Sequence, residues 1–380
     1  MEIEDVELVF ADQYLFVRIH TDEGITGLGE SGTWGYLEAS AGAIEAFKRY
    51  LVGRDPLRIE HHWQYIYRNC HFRGAAIMGA LSAIDIALWD IAGKHHDVPA
   101  HRLLGGSTRE KARIYAHVFG ETTDELVAGC ERASERGFTA VGHLNPLADE
   151  PRTKQSFETY SGRIEEATNT VRECRAAVGT DVDLCIEFHR RLDPHEAITL
   201  GRAIEQYRPM FIEDPTRPDD FDSMAAIARK TDVPIATGER LHTHHEFKML
   251  LERDAVDYVR PDVCMVGGLT HAKKIASLAE AHYAQVVPLN PLSPVSTSAR
   301  LQLAAAIPNF AIQEYPYDQD EGERGRELIT EPLERDDGFL LIPDEPGIGV
   351  ELDPDSLADN PYEPREFVTR QHVDGSVVDM

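Results

Sequence analysis

Three short apolar runs each close on a glutamate: DLCIE on Glu187, MFIE on Glu213 and VPIATGE on Glu239. Each glutamate lies 26 residues from the next, about the length of a strand, a crossover helix and two loops. Carboxylates brought together at the ends of neighbouring strands repel one another unless a cation offsets them. An all-oxygen donor set with positions left open suits Mg²⁺, which keeps water or substrate oxygens among its ligands. Glu187, Glu213 and Glu239 are therefore the candidate metal ligands. For any one of them alone, a solvated carboxylate at a strand end is the plainer account.

The elements between them must hold the carboxylates in place. PHEAITLGRAIEQY (194–207) and FDSMAAIARKT (221–231) carry apolar residues at three- and four-residue steps, the helical period. Helices alternating with short apolar strands predict parallel strands. In a closed α/β barrel these line one rim with their C-terminal ends, where such barrels carry their chemistry. The same pattern extends outward to eight strands: 112–118, 139–145, the three glutamate runs, then VDYVRPD, AQVVPLN and NFAIQE, the last ending at Glu314. After the second strand comes a long connection, PLADEPRTKQSFETYSGRI, of a length that in a compact barrel marks a functional loop.

Ahead of the barrel, the first thirty residues read as a hairpin: EIEDVELVF, then YLFVRIHT, the turn DEGITG, and GLGE. A helix over 74–94 carries Ile77, Leu81, Ile84, Leu88 and Ile91 as a core stripe. Trp34, in a glycine-flanked loop, reads equally as a pocket wall or a packing anchor. Past Pro316, the runs around GFLLIPDEPGIGVELD have no slot in an eight-stranded barrel and are expected to return to the amino-terminal unit. The division is thus an α+β capping domain (1–108), a (β/α)₈ barrel (109–320) and a returning segment (321–380).

The 380 residues carry 66 acidic and 38 basic side chains, a formal charge of −28, and only eight lysines. A dispersed acidic, lysine-poor surface suits a protein hydrated in concentrated salt, from a halophilic source. It disfavours nucleic acid and anionic membrane as partners, since both require a basic footprint. No apolar run near the ~20 residues of a membrane span and no signal-peptide pattern are evident, so a soluble, cytoplasmic protein is expected. Five cysteines without CxxC spacing indicate neither a disulfide framework nor a zinc ribbon.

VRIHTDEGITGLGE, SAIDIALWDIAGK, FIEDP, TGER, GGLTHAKKIA and PGIGVELD together resemble the enolase superfamily, in its mandelate-racemase-like branch, over nearly the whole chain. The resemblance implies a capping domain over a modified (β/α)₈ TIM barrel, with Mg²⁺ on the carboxylates after strands three, four and five. Within the branch, EFHRRLDPHEA is similar to the mannonate and galactonate dehydratases, which place a histidine two residues after the first metal ligand, here His189. HLN at 143–145 is similar to a Lys-Leu-Asn of galactonate dehydratases, with His143 in the lysine position and Asn145 a substrate contact. The implied reaction is dehydration of a hexonate such as mannonate, gluconate or galactonate to a 2-keto-3-deoxy acid. Relatives are usually dimers or octamers.

Such a reaction needs a base for the proton beside the carboxylate and an acid for the departing hydroxyl. His189, two residues past Glu187, shares its face if the strand stays extended. Related galactonate dehydratases add a histidine after strand seven, paired with an aspartate after strand six; Asp262 is present, but Leu289 stands in the histidine position. Three replacements are open: Tyr160 with Arg152 on the long loop, His143 from strand two, or His189 acting twice. Arg240 and Glu314 read as substrate or supporting contacts. An epimerase or racemase using the same enediolate, or a low-turnover binder of metal and sugar acid, are the alternative functions.

Overall fold

The computed structural model describes residues 1–147, 159–318, 322–366 and 368–378. The chain opens as an antiparallel meander of β1 (Ile3–Ala11), β2 (Tyr14–Thr21) and β3 (Thr26–Glu30). Helices α1 (Leu37–Leu51), α2 (Ile59–Asn69) and α3 (Ala75–His96) follow. The glycines of β3 let α3 lie directly on the strand: a Cβ at Gly27 would stand 2.1 Å from the Ala87 carbonyl oxygen, and one at Gly29 2.0 Å from that of Ala83. α3 is long and apolar enough to cross a membrane by length and composition, against the sequence expectation that no run approaches this. Yet 78% of its most apolar window is buried inside the protein, so the length serves a core.

Eight parallel strands follow: β4 (Lys111–His117), β5 (Ala140–Leu144), β6 (Asp183–Glu187), β7 (Phe211–Glu213), β8 (Ile235–Thr237), β9 (Tyr258–Val259), β10 (Gln285–Val286) and β11 (Gln313–Tyr315). Each from β4 to β10 pairs with the next, and β11 pairs back onto β4. The last seam, between β10 and β11, is a single bridge, Val286 to Phe310, rather than a ladder. β8 stops at Thr237, so Glu239 sits in the loop that follows and not on the strand.

Inside the ring, Tyr115, Cys185, Phe211, Ala236, Val287 and Ile312 pack among themselves as a separate core, with Ala140. Side chains alternate along a strand. The residue two positions further toward the C-terminal end therefore faces the same interior, one layer higher. His117 stands above Tyr115, Glu187 above Cys185 and Glu213 above Phe211.

The carboxyl-terminal segment departs from expectation. Phe339–Leu341 pairs antiparallel with residues Lys111 to Arg113 of β4, a stretch that β5 and β11, which pair from Ile114 onward, leave unclaimed. That is the slot the sequence reading denied it. Beyond it the segment reaches the first unit: Ile348 N–H donates to Asp90 (2.8 Å), and Tyr362 donates to Glu38 (2.7 Å). Two buried carboxylates of the first unit meet the barrel directly. Asp85 accepts from the backbone N–H and hydroxyl of Thr270, and Glu30 from Ser293 and Ser296.

Candidate active site

The layer above the interior core is polar and almost sealed. Glu187 and Glu213 are 1% and 2% exposed, respectively, side by side in paired register on β6 and β7. Burial raises the Glu187 carboxyl well above the usual range, and the neighbouring charges of Glu213, Glu239 and Asp214 add to it. Burial likewise raises Glu213, although Arg260 opposes the shift. Glu239 is raised for the same first reason, with Arg190 opposing. These are carboxylates short of positive charge.

Two arginines supply what compensation there is. Arg190 Nη1 lies 2.9 Å from Asp214 Oδ2 and also contacts Glu239. Arg260, wholly buried, makes ion-pair contact with Glu213 (2.6 Å) and Glu314 (2.5 Å), and donates to the Tyr115 hydroxyl at 3.0 Å. Among the described residues, no three His, Cys, Asp or Glu side chains stand ready-grouped around a metal position. The donor chemistry nonetheless fits a hard divalent cation: buried Glu187 and Glu213 with partly buried Glu239, carboxylates whose mutual repulsion such an ion would relieve.

His189 does not continue the strand. β6 ends at Glu187, and His189 and Arg190 take left-handed backbone angles (φ 53° and 64°), so the shared-face argument from an extended strand fails there. The turn is held by the His189 N–H donating to Glu187 Oε1 at 2.6 Å and by Arg190 N–H to the Asp214 carbonyl. The imidazole still reaches the mouth, its ring centroid 5.4 Å from that of His143. Burial, then the cations Arg190, Arg191 and Arg370, holds it neutral. His143 arrives through a register shift in β5 between Val141 and Leu144 and its own φ of 52°, the kind of bulge that re-aims a side chain.

The other predicted residues are placed as follows. Asn145 is buried and caps its own turn, accepting from Leu147 N–H. Arg240 is half-buried, directly after Glu239. Asp262 is engaged by buried Arg300 (2.5 Å) and by Cys264 N–H, so its carboxylate is already paired within the protein. Trp34 is 43% exposed with the Arg365 guanidinium on its ring. Tyr160 is not brought to the histidines: it opens the helix Tyr160–Val178, is 46% exposed, donates to Thr199 and stacks with His195 on the outer helical ring. Its proposed companion Arg152 lies outside the described residues.

Two groups were missed from sequence, His117 and Arg260, and they engage Glu314, which was read there as a substrate or supporting contact. His117 and Glu314 face each other across β4 and β11, Nε2 to Oε1 2.9 Å, both buried. Burial alone would raise Glu314, but Arg260 and His117 outweigh it and hold it ionised. Arg260 closes the chain from Glu314 to Glu213. The signal for His117 was available: in ARIYAHV it stands two residues past Tyr115, as Glu187 stands two past Cys185.

Residues 6–105 match the mandelate racemase / muconate lactonizing enzyme N-terminal domain, and 125–356 the enolase C-terminal domain-like family. A D-galactonate dehydratase of Variovorax paradoxus is 36% identical over 97% of both chains, and one of Ralstonia nicotianae 34% identical over 97% of this chain and 96% of that one. An enolase from Agrobacterium radiobacter, bound to Na and L-malate, superposes with TM-score 0.93 at 29% identity over the whole of both chains. A mandelate racemase/muconate lactonizing enzyme-like protein from Roseovarius does so with TM-score 0.90 at 30% identity, again over both whole chains. The chain belongs to the mandelate racemase/muconate lactonizing enzyme family of the enolase superfamily, among its acid-sugar dehydratases.

Proposed function

We propose that this acid-sugar dehydratase depends on Mg²⁺, works in the cytoplasm, and acts on a hexonate, with D-galactonate first among the candidates, to form a 2-keto-3-deoxy acid. The observation that carries the reading is the pair Glu187 and Glu213: adjacent, buried, and lifted above the usual carboxylate range by burial first, Glu187 then by the charge of Glu213, and Glu213, against the opposing Arg260, by that of Glu314. Glu187, Glu213 and Glu239 would hold the metal. When bound, it would stabilise the negative charge that builds on a substrate carboxylate as the neighbouring proton leaves.

The protein's own groups supply the rest. His189, neutral in its buried setting, takes the proton beside the carboxylate. Asn145, Arg152, Arg240 and Trp34 are the proposed substrate contacts, suited to a polyhydroxylated anion. Asp262 stays with Arg300 and supports the wall from behind. The galactonate preference rests on the relatives from Variovorax and Ralstonia, which carry that name over nearly their full length.

The test is incubation of purified protein in molar KCl with a panel of aldonic acids, with MgCl₂ or with EDTA, assaying 2-keto-3-deoxy acids. Mg²⁺-dependent product from one hexonate supports the reading. A product that keeps every hydroxyl assigns an epimerase instead. Tight binding without product assigns a binder.

A further inference from the structure

Unless His189 acts twice, dehydration calls on a second proton-transfer group, and the wall where Leu289 and Asp262 stand carries none: leucine cannot move a proton, and Asp262 is held by Arg300. Tyr160 points to the outer helices. Resting on the dehydratase reading, we propose that the buried His117–Glu314 pair is that second group, with His117 the acid that protonates the departing hydroxyl.

Four observations converge on it. His117 occupies the layer of Glu187 and Glu213, two residues above the interior core on its strand. Its ring lies 5.3 Å from that of His143, which lies 5.4 Å from that of His189. Three imidazoles thus run across the ends of β4, β5 and β6. Glu314 is held in place on both oxygens, with Oε1 taking His117 Nε2 and Oε2 taking Arg260 and the backbone N–H of Asn290 at 2.9 Å. It is spent on the protein and serves as counter-ion when His117 is charged. Phe119 stacks edge-on against His117 at 5.4 Å, which restricts the ring's orientation.

The step balances. A base takes the C2 proton, leaving its electron pair in the enediolate. The pair returns to form the C2–C3 double bond as the C3–O bond breaks. His117, its Nε2 staying on Glu314, gives its Nδ1 proton to that oxygen, so water and an enol leave the step. The enol becomes the ketone with no net change in protons, and both histidines re-equilibrate with solvent.

The experiment compares the wild type with His117→Asn, His117→Gln and Glu314→Gln, each loaded with Mg²⁺. It follows dehydration of D-galactonate, deuterium exchange at C2, and fluoride release from 3-deoxy-3-fluoro-D-galactonate, whose leaving group needs no proton. An acid role predicts that dehydration falls at least ~100-fold in the His117 variants. Exchange and fluoride release should stay within about 3-fold of wild type, with Glu314→Gln intermediate in dehydration. The proposal is overturned if dehydration stays within about 3-fold, or if fluoride release falls in step with it. Failure of both His117 variants to fold also overturns it, assigning the pair a structural role. A wild type that neither exchanges nor dehydrates any aldonic acid refutes the dehydratase reading itself, and the proposal falls with it.

Discussion

Arg260 is wholly buried between Glu213 and Glu314 and touches Tyr115. Replacing it by methionine keeps much of the volume and deletes the charge. Removing one partner of a buried ion pair costs about 3–5 kcal/mol, because the other partner stays buried and uncompensated. At ~2.1 cal/mol/K per residue of unfolding entropy, a chain of this length loses roughly 0.8 kcal/mol per degree, so Tm should fall by about 4–6 °C. The pH dependence carries a sign. In the wild type Glu314 is held below the usual range, so it adds stability above that range, lost as pH falls through its folded value. Without Arg260, burial raises Glu314 instead, and the ionised carboxylate destabilises the fold until it is protonated. The gap between variant and wild type should therefore be widest near neutral pH and narrow toward pH ~5. Differential scanning calorimetry of the metal-stripped proteins at several pH values reads both effects. A fall under about 1 °C, or a gap independent of pH, would refute the ascribed role.

Three further outcomes are expected. Burial lifts the Glu30 carboxyl to about 7, above its value in an unfolded chain, so stability declines as pH rises between the two values; Glu30→Gln should flatten that decline in pH-resolved melting curves. His189→Asn should abolish C2 exchange and dehydration by at least ~100-fold while sparing Mg²⁺ binding, measured by NMR and calorimetry. Arg190→Met removes the cation shared by Asp214 and Glu239, so its Tm without metal should drop and saturating MgCl₂ should restore more of it than in the wild type.

Much of the site was legible because strand ends and spacing carry it. The 26-residue interval located three carboxylates at one rim, since a βα unit has a nearly fixed length. The same logic, applied one step further, would have found His117 and Arg260 from their distance past Tyr115 and Tyr258. Other features were hidden for physical reasons. His189 and His143 adopt left-handed backbone angles that are uncommon outside glycine, so strand alternation misdescribes where they point. Tyr160 opens a helix, and whether it turns inward or toward the neighbouring helix depends on Thr199 and His195, 35 or more residues away in sequence. The tail strand found its place on the start of β4 only because the register of β5 and β11 leaves that stretch unpaired, and register is a property of the assembled sheet.

Three glutamates evenly spaced in sequence are proposed to form one cation site. Isothermal titration of MgCl₂ into the metal-stripped wild type and into Glu187→Gln, Glu213→Gln and Glu239→Gln tests it most directly. One site is expected in the wild type and affinity reduced at least ~10-fold in every variant, since each loses one anionic ligand of a hard cation. Heat absent from the wild type, or binding unchanged in any of the three variants, would contradict it.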